Sequence, residues 1–220
     1  MNNNKSSGIL IVLAGIYTVA LVVSNIIAGK LWLSPWGSIF TTGVWLFPIV
    51  YIIGDVVPEV YGLATARKVI FLGFGLNLFA VAFFTLSLDL PAPGFWTGQE
   101  AFQTVLGYTP RLLVASFAGF LVGSNVNAWV MVAMKKLTGG HLLWSRTITS
   151  TIFGESIDTA IFATIAFFGT MPGSALLNLI ISMSAFKILY ETVATPLTYL
   201  VIGWVKGQVG SQVEWEGAND

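Results

Sequence analysis

LFPIVYIIGDVVPEVYG, residues 46–62, decides the fold. Its apolar residues read as part of a helix crossing a bilayer, yet it carries Asp55 and Glu59 four residues apart, with Pro58 between them. A charge at the centre of the hydrocarbon costs at least about 2.5 kcal/mol, so an ionisable side chain there marks a functional position by default. A similar arrangement returns in TITSTIFGESIDTAIFA, residues 147–163, where Gly154-Glu155 repeats Gly54-Asp55 at an offset of 100 residues. Ser24-Asn25 and Ser124-Asn125 stand at the same offset. A half-length duplication accounts for both matches, and internal repeats framing a site near the membrane midplane are a common transporter plan.

Outward from these segments the chain is hydrophobic throughout. Of its 220 residues 55% are apolar and 9% charged, and the mean hydropathy is +0.82. That excludes an ordinary soluble domain. Runs of about 20 apolar residues, enough to cross roughly 30 Å of hydrocarbon, fall at 9–29, 44–63, 69–88, 112–134, 147–169 and 175–204. The expected fold is an all-α integral membrane protein of six transmembrane helices forming one domain, residues 1–220. The first run has the length of a retained span rather than of a secretory leader. Lys5, Arg67, Lys68, Lys135, Lys136, Arg146 and Lys206 collect on one side of such a bundle, against Arg111 and Lys30 on the other. Positive charge stays inside, so the expectation is N-in and C-in. Three spans per half then make the two repeats inverted.

Formal net charge is zero, with no polybasic arm for nucleic acid. Cysteine is absent and the single histidine, His141, falls in an inner connection away from the acids. No metal or other cofactor is therefore expected. The loop at 89–111 carries Phe95, Trp96, Phe102 and Val105, which suit a short amphipathic helix on the lipid surface. Ala115, Gly119 and Gly123 recur every four residues and Asn127 continues the stripe. Small residues at that spacing let a neighbouring helix approach closely, inside the bundle or across a homodimer face.

The candidate binding residues lie on helical faces. Tyr51, Asp55 and Glu59 share one face by their four-residue spacing, and Glu155 and Asp158 share another. Pro58 leaves the Gly54 carbonyl without its helical donor, a way to line a cavity. Lys187 and Glu191 are also four apart, which fits an intrahelical ion pair or a contact from Lys187 to Asp55 or Glu155. Asn25 and Asn125 offer both donors and acceptors, and Phe153 offers an aromatic face. Carboxylates beside amides and rings suit a planar ligand rich in N–H donors, such as a guanine-like base; a cationic amine would satisfy the same acids.

SNIIAGK at 24–30, FPIVYIIGDVVPEVYG with the following ARK at 47–68, PRLLVASFAGFLVGSNVNA at 110–128 and FGESIDT at 153–159 resemble the queuosine precursor transporter family, formerly called the "putative vitamin uptake transporter" family. The resemblance spans nearly the whole chain. It implies import of deazaguanine bases of the cyano and aminomethyl type across the cytoplasmic (inner) membrane by a protein that is not an enzyme. It places Asp55, Glu59, Arg67, Asn125, Glu155, Asp158 and Lys187 among the binding candidates. In that reading Asp55 or Glu155 binds the base edge, Asn25 and Asn125 orient it, and two inverted halves alternate access. The alternative is a substrate-binding subunit of an energy-coupling-factor vitamin importer, which would need an ATPase partner. An intramembrane aspartyl hydrolase is a third class, but Ile52-Ile53-Gly54 before Asp55 lacks the Gly-x-Gly-Asp pattern that it requires.

Overall fold

A computed structural model describes residues 2–137 and 143–209. His141, most of the connection around Gly139-Gly140 and the tail beyond Val209 lie outside the described residues, as do the side chains of Lys5, Lys135, Trp144 and Arg146. In chain order the elements are α1 (Asn2–Ile27), strands β1 (Leu31–Leu33) and β2 (Ile39–Thr41), a 3-10 turn (Thr42–Leu46), α2 (Phe47–Tyr61), α3 (Leu63–Asp89), α4 (Gln99–Leu106), α5 (Thr109–Leu137), α6 (Leu143–Phe167) and α7 (Gly173–Val209).

Each expected span coincides with a helix, and α4 is the short amphipathic helix anticipated in the loop at 89–111. The count of crossing segments differs. Among the described residues, five stretches are long and apolar enough to cross a membrane: Ser6–Ile27, Thr42–Tyr61, Leu63–Asp89, Gln99–Met134 and Gly173–Val209. The sixth, α6, has the length but is diluted by serines, threonines, Glu155 and Asp158. Such a helix depends on protein neighbours, because lipid cannot satisfy its polar side chains.

The β1–β2 hairpin is the element that helical periodicity did not anticipate. Its strands pair antiparallel, Leu31 opposite Thr41 and Leu33 opposite Ile39. The turn closes through the Gly37 N–H donating to the Ser34 carbonyl at 3.0 Å and the Ser38 N–H to Ser34 Oγ at 2.9 Å. Gly37 has φ +84°, which only glycine adopts without a steric penalty. A second break at Gly62, φ +82°, separates α2 from α3. There the Gly62 N–H returns to the Pro58 carbonyl at 3.0 Å, a common way to end a helix.

The chain folds into two compact units. The first comprises residues 1–24, 45–80 and 190–220, so it contains most of α1, all of α2, the first two-thirds of α3 and the second half of α7. On α2 the buried residues are Ile53, Val56, Val57 and Val60, the i, i+3, i+4, i+7 set of one helical face. Ile53 and Val57 pack with Tyr17 of α1 and with Ala66 and Val69 of α3. Val56 and Val60 pack with Val205 and Val209 of α7. Gly73 of α3 lets Tyr17 lie flush, since a Cβ there would sit 2.9 Å from its ring.

The second unit comprises residues 25–44 and 81–189. Its centre is the α5–α6 pair, which is antiparallel: Gly119 faces Asp158, Gly123 faces Gly154, and Gly154 faces Asn127. A Cβ on Gly123 would lie 2.8 Å from the Gly154 carbonyl oxygen, and one on Gly154 would lie 2.8 Å from Asn127 Cβ. The small-residue stripe of α5 is thus spent within the bundle, where van der Waals contact rather than water exclusion drives helix association. Arg111 at the start of α5 closes the far end of α6, donating from Nε to the Ile165 carbonyl and from a terminal nitrogen to the Phe168 carbonyl, each at 2.6 Å. These are carbonyls that a helix C-terminus leaves open. The hairpin belongs to this unit and docks on α7. Asn178 accepts the Ile39 N–H at 2.8 Å and donates to the Gly37 carbonyl at 3.1 Å, while Phe40 stacks on Trp32 and meets Phe186 edge-on.

Candidate functional site

The strongest concentration of charge inside an apolar region lies in the second unit, where α6 meets α7. Lys187 is 5% exposed. Its Nζ lies 2.5 Å from Asp158 Oδ2 and 3.2 Å from Glu155 Oε2. Glu155, Asp158, Thr159 and Phe162 occupy one face of α6 by their i, i+3, i+4, i+7 spacing, and Ser184 sits three residues before Lys187 on α7. Asp158 is about 22 Å along α6 and Lys187 about 21 Å along α7 from their first residues, at 1.5 Å per residue. Both stand away from the helix ends, where a charged group could otherwise reach water.

Lys187 alone is almost fully buried, the two acids being about a fifth exposed (23% and 21%); the desolvation of Lys187 is offset by contact with both carboxylates. Lys187 meets Glu155, one of the contacts open to it from sequence, and also Asp158. Thr159 Oγ, Ser184 Oγ and Asn127 Oδ1 have no hydrogen-bond partner among the described residues, and helical spacing puts Thr159 one turn from Glu155 and Ser184 one turn from Lys187. Thr159 is 0% and Ser184 8% exposed. Buried hydroxyls in native proteins are nearly always satisfied, so those of Thr159 and Ser184 are groups that a polar guest would satisfy. Two carboxylates holding one ammonium can equally hold the N–H groups or ammonium of a ligand.

The remaining candidates are dispersed. Asn25 is buried and donates from Nδ2 to the Thr109 carbonyl at 3.2 Å, joining the end of α1 to the start of α5. Asn125 is exposed and bonds back to the Leu121 carbonyl of its own helix at 2.7 Å. Two residues on, Asn127 is turned by about 200° and is the asparagine of α5 that meets α6 at Gly154. Phe153 is exposed and stands about 200° around α6 from Glu155. Reading Asn127 and Thr159 into the site required only continuing two spacings already visible in sequence, the α5 stripe and the i+4 step from Glu155. Ser184 and Asn178 gave no comparable signal.

Asp55, Glu59, Tyr51 and Glu191 belong to the first unit. Asp55 and Glu59 lie on the exposed face of α2, beside its buried valine stripe. Glu59 is paired with Lys206 of α7 at 2.5 Å, both side chains about half exposed (55% and 51%). Tyr51 packs against Phe47, with ring centroids 6.0 Å apart, and the Glu191 carbonyl accepts the Thr195 hydroxyl at 2.7 Å. Arg67, in the first turns of α3, is exposed.

A family profile described as "Putative vitamin uptake transporter" matches residues 41–201, which contain α2 to α6, most of α7 and every acid named above. The chain is 30% identical over 165 residues to a "Probable queuosine precursor transporter" of Bacillus subtilis, covering 74% of this chain and 72% of that protein. It is 27% identical over 128 residues to a protein of the same name from Haemophilus influenzae, covering 58% of this chain and 52% of that one. A "Queuosine precursor transporter" of Escherichia coli is 27% identical over 127 residues, covering 58% and 55%. The matches span about half the length of these last two relatives. No solved structure matches the chain.

Proposed function

The chain belongs to the queuosine precursor transporter family, matched under the description quoted above, and from that premise we propose that it carries queuosine precursors across the cytoplasmic membrane. It is a multi-pass membrane protein of a transporter family and not an enzyme. The observation that carries the reading is Lys187 clasped by Glu155 and Asp158 in the body of two long helices. A carboxylate pair with nearby hydroxyls offers acceptors to the N–H edge of a flat, guanine-like base. The cargo in this reading is a deazaguanine of the cyano or aminomethyl type.

Transport proceeds by alternating access of two inverted halves within one transmembrane domain, with both termini inside. Glu155, Asp158 and Lys187 form the base-binding group of the second unit, and Asp55 with Tyr51 is its counterpart in the first. The offset of 100 residues between the two Gly-acid pairs supports that symmetry. The family assignment gives no support to the alternative of a vitamin-importer subunit that waits for an ATPase.

The test is uptake by the purified chain alone in proteoliposomes, with radiolabelled aminomethyl-deazaguanine outside. The expected result is saturable accumulation that Glu155→Gln abolishes. Uptake seen only after an ATPase partner is added, or unchanged in the variant, overturns the proposal.

A further inference from the structure

Asp158 and Glu155 touch the same ammonium, but their surroundings differ. Asp158 is wedged between α5 and Lys187: a Cβ on Gly119 would lie 2.7 Å from its Oδ1, and one on Gly123 2.7 Å from its Cβ. The two bare glycine backbones therefore form a seat that fits this carboxylate and leaves it no room toward α5. Its other oxygen, Oδ2, holds Lys187 at 2.5 Å. Glu155, one turn earlier on α6, reaches the same Nζ at 3.2 Å through a longer side chain. Thr159 shares the face of Glu155 by the i+4 step, and Ser184 shares the face of Lys187 by the i−3 step. Their hydroxyls lack partners among the described residues although both side chains are more than nine-tenths buried.

We propose that the two acids divide the work: Asp158 and Lys187 are a permanent ion pair seated on Gly119 and Gly123, and Glu155 is the exchangeable arm that releases Lys187 to take the ligand. The ligand class is a planar heterocycle presenting adjacent N–H donors or an ammonium, with Thr159 and Ser184 as the additional polar contacts. Lys187 acts as a built-in stand-in for the ligand's positive edge, which keeps Glu155 compensated between transport events. This assignment rests on the transporter reading for its ligand, but the ion-pair half of it does not.

The experiment uses the full chain in detergent and reads two quantities, unfolding temperature and binding of aminomethyl-deazaguanine. Asp158→Asn removes the nearer of two carboxylates from a buried ammonium and leaves it with Glu155 alone at 3.2 Å, so it is expected to lower the unfolding temperature by about 5 °C or more. Adding Lys187→Met and Glu155→Gln removes the two remaining charges together, and the triple variant is expected to recover about half of that loss. Glu155→Gln is expected to keep the unfolding temperature within about 2 °C of the parent while weakening the ligand at least about tenfold, the loss of one charge-assisted contact. If Asp158→Asn expresses no folded protein, the triple variant alone decides: its failure to fold counts against a simple ion pair. Equal destabilisation by Glu155→Gln and Asp158→Asn, or parental affinity in Glu155→Gln, overturns the division of roles. Absence of ligand binding by the parent chain instead sinks the transporter reading and leaves the ion-pair result standing.

Discussion

At the scale of single residues, the environment of a charge decides what it is worth. Lys187 is almost fully buried between two carboxylates, whereas Lys206 meets Glu59 with half of each side chain exposed. Truncating the first strands two acids in low dielectric, so Lys187→Met is expected to cost about 3–5 kcal/mol. Truncating the second is expected to cost only about 0–1 kcal/mol, because the surroundings already screen the pair. Thermal unfolding of the two variants side by side checks the contrast, and equal losses would mean that Lys187 is not buried as described. The acids themselves were legible as outliers in an apolar sequence. Whether Lys187 meets them or pairs along its own helix was not, because a helical spacing relates residues on one helix and says nothing about its neighbour.

Elements meet where side chains are missing. On α5, Gly123 lies against the Gly154 carbonyl and Asp158 Cβ, atoms that cannot swing aside. Gly123→Ala is expected to destabilise by about 1–3 kcal/mol through overpacking. Gly15 of α1 has nothing within 4 Å of its would-be Cβ, and Gly15→Ala is expected to be neutral or to stabilise by up to about 1 kcal/mol from helix propensity. Unfolding temperatures of both variants give the comparison. The hairpin provides a second test, since Asn178 holds it to α7 through one donor and one acceptor. Asn178→Ala is expected to cost about 1–2 kcal/mol of docking and to speed hydrogen exchange at the Ile39 amide; unchanged exchange would show that the aromatic contacts hold the hairpin without it. Residues 31–41 escaped the helical reading because strands of three residues are too short for an alternating pattern to declare itself.

For the whole molecule, the two compact units do not follow the sequence halves: each takes helices or parts of helices from both halves of the chain, and α1, α3 and α7 contribute to both. Asp55 and Glu155 accordingly sit in different units. A carrier that works through both acids is expected to lose uptake at either one, so Asp55→Asn should reduce proteoliposome uptake about tenfold or more, as Glu155→Gln does. Normal kinetics in Asp55→Asn would remove that residue from the transport path. What the sequence determined by itself was the class of protein, the positions of the long helices, the acidic faces and the small-residue stripe. All of these follow from composition and from the 3.6-residue period, which are local properties. Tertiary structure alone decided that the stripe receives Asp158, that Lys187 closes the cluster, and that Asn25 and Arg111 serve the ends of α5 and α6. Those outcomes depend on which helix lies beside which, and in lipid that choice is made by close packing between segments far apart in the chain, a quantity no local window contains.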